Sequence, residues 1–235
     1  MPLRVVAMLV VCIYIAAAFA TNIHPSAGAA GRPWKADAAL KSLSNAAGET
    51  MAIEWSLETG TPSYIGGKLS RPTKHSPSWI AFGFLNQYRI LYGIRDVQRE
   101  LRLEGVERQE GGHKVHLRHM VFRTPVWEDS LTVTLDKDGV VREVAGSFYP
   151  GLETKLNRIE MHSAYSAKEA IRTVLVHANG ELANEPVAEK YYMASRKGTP
   201  LVYVVAIPLR DPDRTQTFVV HSMTGRILDK QTTAR

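Results

Sequence analysis

The chain has 235 residues, of which 45% are hydrophobic and 22% charged, a balance that supports a packed core and excludes disorder throughout. A net charge of +6 comes from 29 Lys and Arg against 23 Asp and Glu. The bases are interleaved with acids, as in "RDVQRELRLEGVERQE", which describes a solvated surface and argues against a nucleic-acid partner. A lone cysteine, Cys12, excludes a disulfide framework.

Taken in chain order, the first element is a leader. After Arg4 come sixteen uncharged residues, "VVAMLVVCIYIAAAFA", closing on Ala18-Phe19-Ala20. One base, a short apolar core and a small-x-small end read as a secretory signal peptide over 1–20. Sixteen residues fall short of the about 20 that a membrane span needs, so an uncleaved anchor is the lesser alternative. Cleavage after Ala20 removes Cys12 and one base, leaving 28 basic residues against 23 acidic and a net charge of +5. Export, to the medium or to the cell envelope, is the implied location.

Residues 21–49 are rich in Ala, Gly and Ser and read as a flexible spacer with a weak helix around Asp37–Leu43. "TMAIEWSLE" and "YIGGKLS" predict two short strands around the turn Thr59-Gly60-Thr61-Pro62. A helix begins with Ser76 as N-cap and Pro77 at the first helical position. It carries Trp79, Ile80, Leu85, Tyr88 and Leu91, stops at Gly93, and its aromatic residues (Trp79, Phe82, Phe84, Tyr88) are read as core. Strand-like runs follow at 98–107, 114–122, 129–135 and 140–146, the last two joined by the Gly turn Asp136–Gly139. The same order then recurs. Ser166 and Glu169 form a capping box, and the helix they open carries Ala170, Ile171, Val174 and Leu175 on one face and ends at Asn179-Gly180. Strands are expected at 187–194, 201–208, 215–221 and 226–229, with Met223-Thr224-Gly225 closing the last pair. Helix followed by antiparallel meander, twice over, predicts an α+β class: a 50–151 domain and a 152–235 domain, each a helix packed on an antiparallel sheet.

One stretch raises the question of metal chemistry. "HKVHLRH" places His113, His116 and His119 three residues apart. On a strand, side chains alternate, so His113 and His119 share a face with Val115, Leu117 and Val121 while His116 turns away with Lys114 and Arg118. Three imidazoles on two faces do not converge on one ion, and neither a His-Glu-x-x-His segment nor an acid at ligand spacing accompanies them. Asp136-x-Asp138-Gly139 reads as a hairpin turn, because the remaining oxygen positions of a calcium loop are absent. No Gly-x-Ser-x-Gly elbow occurs, and Asp211 and Asp213, flanking Pro212, read as a solvated turn. Neither a catalytic residue, a metal site nor a cofactor is expected.

Two stretches carry a resemblance. The first has Gly66-Gly67-Lys68-Leu69, Tyr92-Gly93-Ile94, the His116-Leu117-Arg118 strand, Pro125-Val126, Leu131-x-Val133 and Asp138-Gly139-x-Val141 leading to Gly146, and it resembles the fungalysin/thermolysin propeptide (FTP) domain. The second has the capped Ala-rich helix, Leu201-Val202-Tyr203-x-Val205 and Thr224-Gly225-Arg226-Ile227, and it resembles a PepSY domain. Together they span about 51–230. FTP then PepSY is the order of the pro-segment of secreted thermolysin-type zinc metalloproteases, which assists folding of the catalytic domain and inhibits it until removed. Two departures stand out: residues 119–126 are shorter than usual, lacking the Gln and Gly often found there, and His221 stands where an acid is common. The chain also stops at Arg235, without the catalytic domain. The resemblance implies a non-catalytic, exported inhibitor or folding helper whose partner is a separately encoded secreted zinc metalloprotease. Thr232, Thr233, Ala234 and Arg235, where the family's pro-segment runs on toward the protease, become candidate contacts. The alternatives are an envelope binding or sensor module, held to the membrane only through an uncleaved N-terminus, and a remnant of a truncated pro-metalloprotease.

Overall fold

The computed structural model describes residues 34–48, 51–210 and 214–234. The predicted leader, residues 21–33, the Asp211-Pro212-Asp213 turn and Arg235 lie outside the described residues. Pro33–Arg235 clusters as one compact unit.

The fold is α+β, built on ten strands among the described residues. Six belong to a first antiparallel sheet: β1 (Ala52–Trp55), β2 (Pro62–Gly66), β3 (Leu101–Gln109), β4 (Gly112–Val121), β5 (Thr124–Asp136) and β6 (Val141–Gly146), in the order β1-β2-β6-β5-β4-β3. The second is the meander β7 (Val187–Tyr192), β8 (Leu201–Leu209), β9 (Arg214–His221) and β10 (Ile227–Ala234). A single parallel pair, Val126 on β5 with Tyr192 on β7, joins the two.

The first sheet packs against helices. Helix α1 (Trp34–Ala47) spans residues that composition alone assigns to the spacer. Its Ala36, Leu43 and Ala47 recur at helical spacing and are buried, which anchors the segment in the core. Helix α2 (Pro77–Gln87) starts where expected: the Ser76 hydroxyl accepts from the Trp79 amide, and Pro77 fills the first turn. The predicted single helix is interrupted at Tyr88, and a separate turn, α3 (Arg89–Tyr92), runs to Gly93. Ile80, Phe84, Leu85 and Tyr88 bury against Val115, Leu117, Leu131, Val133 and Leu135 of the sheet. Each such side chain contributes roughly 1.5–3 kcal/mol by leaving water. Trp79 is the exception among the aromatic residues read as core: it lies off this stripe, is 59% exposed, and sits tilted against the His75 ring at 3.9 Å. A short helix, α4 (Val97–Glu100), replaces the start of the expected strand, because the Asp96 carboxylate caps the Gln98 and Arg99 amides.

After a one-turn helix, α5 (Leu152–Lys155), the second sheet is covered on one face by α6 (Ala167–Leu175). Its capping box forms as read, the Ser166 hydroxyl accepting from the Glu169 amide at 3.3 Å and Glu169 accepting from the Ser166 amide at 2.7 Å. Ala170 and Val174 then pack on Tyr203, Val205, Ile207, Phe218 and Val220.

The β5–β6 turn is pinned from outside. Gly139 has φ +74°, and a Cβ there would stand 2.1 Å from the Thr73 carbonyl oxygen. Gly60 has a similar φ, +70°, with nothing within 4 Å of a built Cβ. Gly139→Ala is therefore expected to cost at least about 2 kcal/mol and Gly60→Ala about 1 kcal/mol, measured by urea unfolding. Equal losses would show that the Thr73 contact carries no weight.

Candidate functional site

On β4 the alternation read from sequence holds: Val115, Leu117 and His119 are buried on the core face, with His116 and Arg118 on the other. His116 and His119 have separate partners. His113 is half-buried at the strand start. His116 Nδ1 lies 3.2 Å from Thr132 Oγ1 and its Nε2 3.5 Å from Glu107 Oε2. His119 is 1% exposed, with Nδ1 2.7 Å from Asp129 Oδ2. Among the described residues no group of three His, Cys, Asp or Glu side chains is placed to hold a metal ion.

Sequence reasoning missed Asp129, although a signal exists. Residues 129, 131, 133 and 135 fall on one face of β5 by strand period, and the other three are Leu131, Val133 and Leu135, all buried. An acid continuing a buried apolar row needs a buried partner, and His119 faces it from the neighbouring strand. Asp129 Oδ2 also accepts from the Tyr149 amide at 3.0 Å, while the His119 ring stacks on Phe148 at 4.0 Å and 24°. The space beside His119, shared with Arg95, Glu100 and Glu153, is ≈ 10 Å³, room for a single water. Its geometry makes the pair a strut; no substrate fits there.

The strut sits in a wide bulge. Pairing runs from Arg118 with Ser130 to Met120 with Pro125, so Val126–Asp129 all face one residue, His119. Glu128 takes φ +56° there. Consecutive side chains then serve different parts of the molecule. Val126 pairs with β7. Trp127 stands edge-on to Tyr191 at 5.3 Å and packs on the face of the second sheet opposite α6, with Val202, Val204 and Val219. Glu128 accepts from Gln231 of β10 at 3.2 Å, and Asp129 returns to the first core. Arg118 adds a second tie, donating to the Tyr191 hydroxyl at 2.9 Å and pairing with Glu104. Burial, helped by the bond to Glu189, pushes the Tyr191 hydroxyl up to about 12, so it stays protonated and donates to Glu189 at 2.7 Å.

The other residues singled out from sequence are dispersed. Gly66 ends β2, and the Gly67 amide donates to the Arg142 carbonyl at 2.9 Å. Pro125 and Val126 open β5 beside the bulge. Thr224 and Gly225 form the β9–β10 turn, the Gly225 amide donating to the His221 carbonyl at 2.9 Å, and His221 Nδ1 accepts from the Met223 amide. Thr232 and Thr233 are exposed on β10 opposite Gln216 and Thr215, and Ala234 pairs with Arg214. β10 runs past the expected end at 229 because backbone pairing with β9 continues through polar residues that show no alternation. Among the described residues it lies at the end of the strand order, with β9 as its one neighbour. Lys230 arches back over the Phe218 ring at 5.0 Å and donates to the His177 carbonyl.

No family model matches the chain. Among curated proteins it is similar to bacillolysin of Bacillus cereus, 23% identical over 178 residues, covering 72% of this chain and 31% of that protein. Bacillolysin of Brevibacillus brevis is 20% identical over 188 residues, covering 76% and 35% respectively. The chain thus spans about a third of the length of these relatives. Among solved structures, the Bacillus megaterium YpeB C-terminal domain aligns at TM-score 0.40 and 12% identity, over 86% of this chain and 97% of that one. A putative lipoprotein of Clostridium difficile aligns at TM-score 0.26 and 10% identity, over 70% and 97%. Most of this chain is therefore similar to a part of each bacillolysin.

The strut has a measurable weight. His119→Ala leaves the Asp129 carboxyl group buried without its ring partner and is expected to lower the unfolding free energy by about 3–5 kcal/mol. A double-mutant cycle with Asp129→Ala, followed by urea unfolding, should recover a coupling of order 2 kcal/mol; additive losses would contradict the strut.

Proposed function

We propose that the chain is an exported, non-catalytic, propeptide-like protein that docks on a secreted thermolysin-type zinc metalloprotease, inhibiting it and assisting its folding. The observation that carries this is the likeness to two bacillolysins over most of this chain and only about a third of theirs. The chain contains no His-Glu-x-x-His segment, which is in keeping with a likeness to a part of those proteins other than the zinc-binding helix. The motif order read from sequence, FTP-like over 50–151 and PepSY-like over 152–235, matches what a pro-segment of such a protease carries.

The physical means of docking is strand addition. β10 leaves one row of backbone N–H and C=O groups outside its pairing with β9, and its exposed Lys230, Gln231, Thr232 and Thr233 put little bulk in the way. An extended segment of the partner pairs along that edge, and Thr232–Arg235 lead toward the catalytic cleft. Export rests on the leader over 1–20; among the described residues no helix is long and apolar enough to cross a membrane.

Purified protein added to an active bacillolysin should inhibit peptide hydrolysis in proportion to its concentration and raise the refolding yield of the denatured catalytic domain. Lysines at Thr232→Lys and Thr233→Lys, which blunt an edge without touching the core, should weaken inhibition by about tenfold while leaving the unfolding midpoint in place. Absence of both inhibition and folding assistance with excess protein would overturn the reading. A membrane-retained N-terminus, found by mass spectrometry of the exported protein, would point instead to an envelope module.

A further inference from the structure

A cleft of ≈ 580 Å³ opens beside the start of α2, away from the strut and from β10. Its volume lies within the range of small-ligand sites, about 300–1,000 Å³. One wall is the segment Pro72–Pro77; the other is the start of β4 at His113, the end of β5, and the turn Lys137–Gly139. The walls are held at a fixed separation. The Thr73 amide donates to the Asp138 carbonyl at 3.1 Å, and the Gly139 backbone lies against the Thr73 carbonyl so closely that no side chain fits between. The site is formed before any ligand arrives.

The chemistry of the lining is one-sided. Lys74, His75, His113 and Lys137 face two acids, Asp136 and Asp138. Asp136 is already committed: its Oδ1 accepts from the Asp138 and Val140 amides at 2.9 and 3.0 Å, and its Oδ2 takes the Arg142 guanidinium at 2.8 Å. Burial works against its charge, but the Val140 amide, Arg142 and the Asp138 amide outweigh that and hold its carboxyl below the usual Asp range. With Asp136 offset by Arg142, Lys74 and Lys137 stand against Asp138 alone, and the lining keeps an excess of one positive charge with the histidines neutral. The first turn of α2, at whose N-terminus the cleft opens, carries no acid to offset its positive end. Between the cations lies an apolar floor of Ile80 and Leu135, both buried, flanked by Pro72 and Pro77.

We propose that this cleft binds a short peptide with a free C-terminal carboxylate, the carboxylate between Lys74 and Lys137 and the terminal apolar side chain on Ile80 and Leu135. A compact inorganic anion would leave the apolar floor and most of the volume unfilled, and an uncharged apolar ligand would make no use of Lys74 and Lys137. A peptide terminus supplies both a carboxylate and an apolar side chain. This reading is independent of protease docking, since β10 and the cleft belong to different sheets.

The test is an NMR titration of the isotopically labelled, intact exported protein with the tetrapeptide acetyl-Ala-Leu-Ala-Leu as the free acid, as its C-terminal amide, and with inorganic phosphate. The free acid should shift the amides of Lys74, His75, His113 and Lys137–Gly139. The amide form should bind about tenfold more weakly, and so should the free acid to Lys74→Ala and to Lys137→Ala, both exposed positions at which the unfolding midpoint should hold. No perturbation at millimolar peptide, equal affinity for acid and amide, equal affinity for phosphate, or shifts mapping elsewhere would each overturn the proposal. None of these outcomes bears on protease inhibition, which is read separately.

Discussion

The buried contact between His119 and Asp129 is the constraint from which the rest of the arrangement follows. Two polar side chains, 1% and 0% exposed, are expensive to take from water and persist in a core only when they satisfy one another. Here Asp129 Oδ2 meets the His119 ring and the Tyr149 amide across a bulge, while Oδ1 has no hydrogen-bond partner, and the bulge lies where β5 serves two sheets. Its later residues continue the first sheet between β4 and β6, and its first residues run alongside β7. The left-handed turn at Glu128 lets Trp127 point to the second sheet while Asp129 points to the first core. A three-residue excess in one strand thus becomes a rivet between two sheets.

That rivet bears on how such a module would act. Strand addition at β10 needs an edge held in a constant position relative to the remainder of the protein, since every hydrogen bond along an edge depends on register. The Gln231–Glu128 bond ties β10 to the bulge itself, so the proposed docking edge and the strut share one structural element. A body that docks without reorganising spends less conformational entropy on binding, which suits an inhibitor.

Much of this was legible in the sequence, and the failures have physical causes. Period-two alternation placed most strands, and local chemistry placed the caps at Ser76 and Ser166, because both are decided by residues near in the chain. The same alternation put His116 on the face opposite His119. Helix α1 was hidden by composition: its Ala-rich run looks like linker, and only the tertiary burial of Leu43 reveals the stripe. The far half of β10 was hidden because Gln231, Thr232 and Thr233 have no alternation, their extension being imposed by pairing with β9. Asp129 was readable from its place in a buried row, but the bulge was not, since it arises between non-local strands. The cleft was equally invisible, its walls coming from residues 72–80, 113 and 135–139.

The central claim is that the two sheets behave as one body because the bulge locks them. Native-state hydrogen exchange tests it directly, by comparing the opening free energy of the Val133 amide in the first sheet with that of the Val204 amide in the second, both strand-paired and buried. The account predicts that the two amides exchange through the same global unfolding, with equal free energies and equal denaturant dependence. A second sheet that opens several kcal/mol below the first would contradict it.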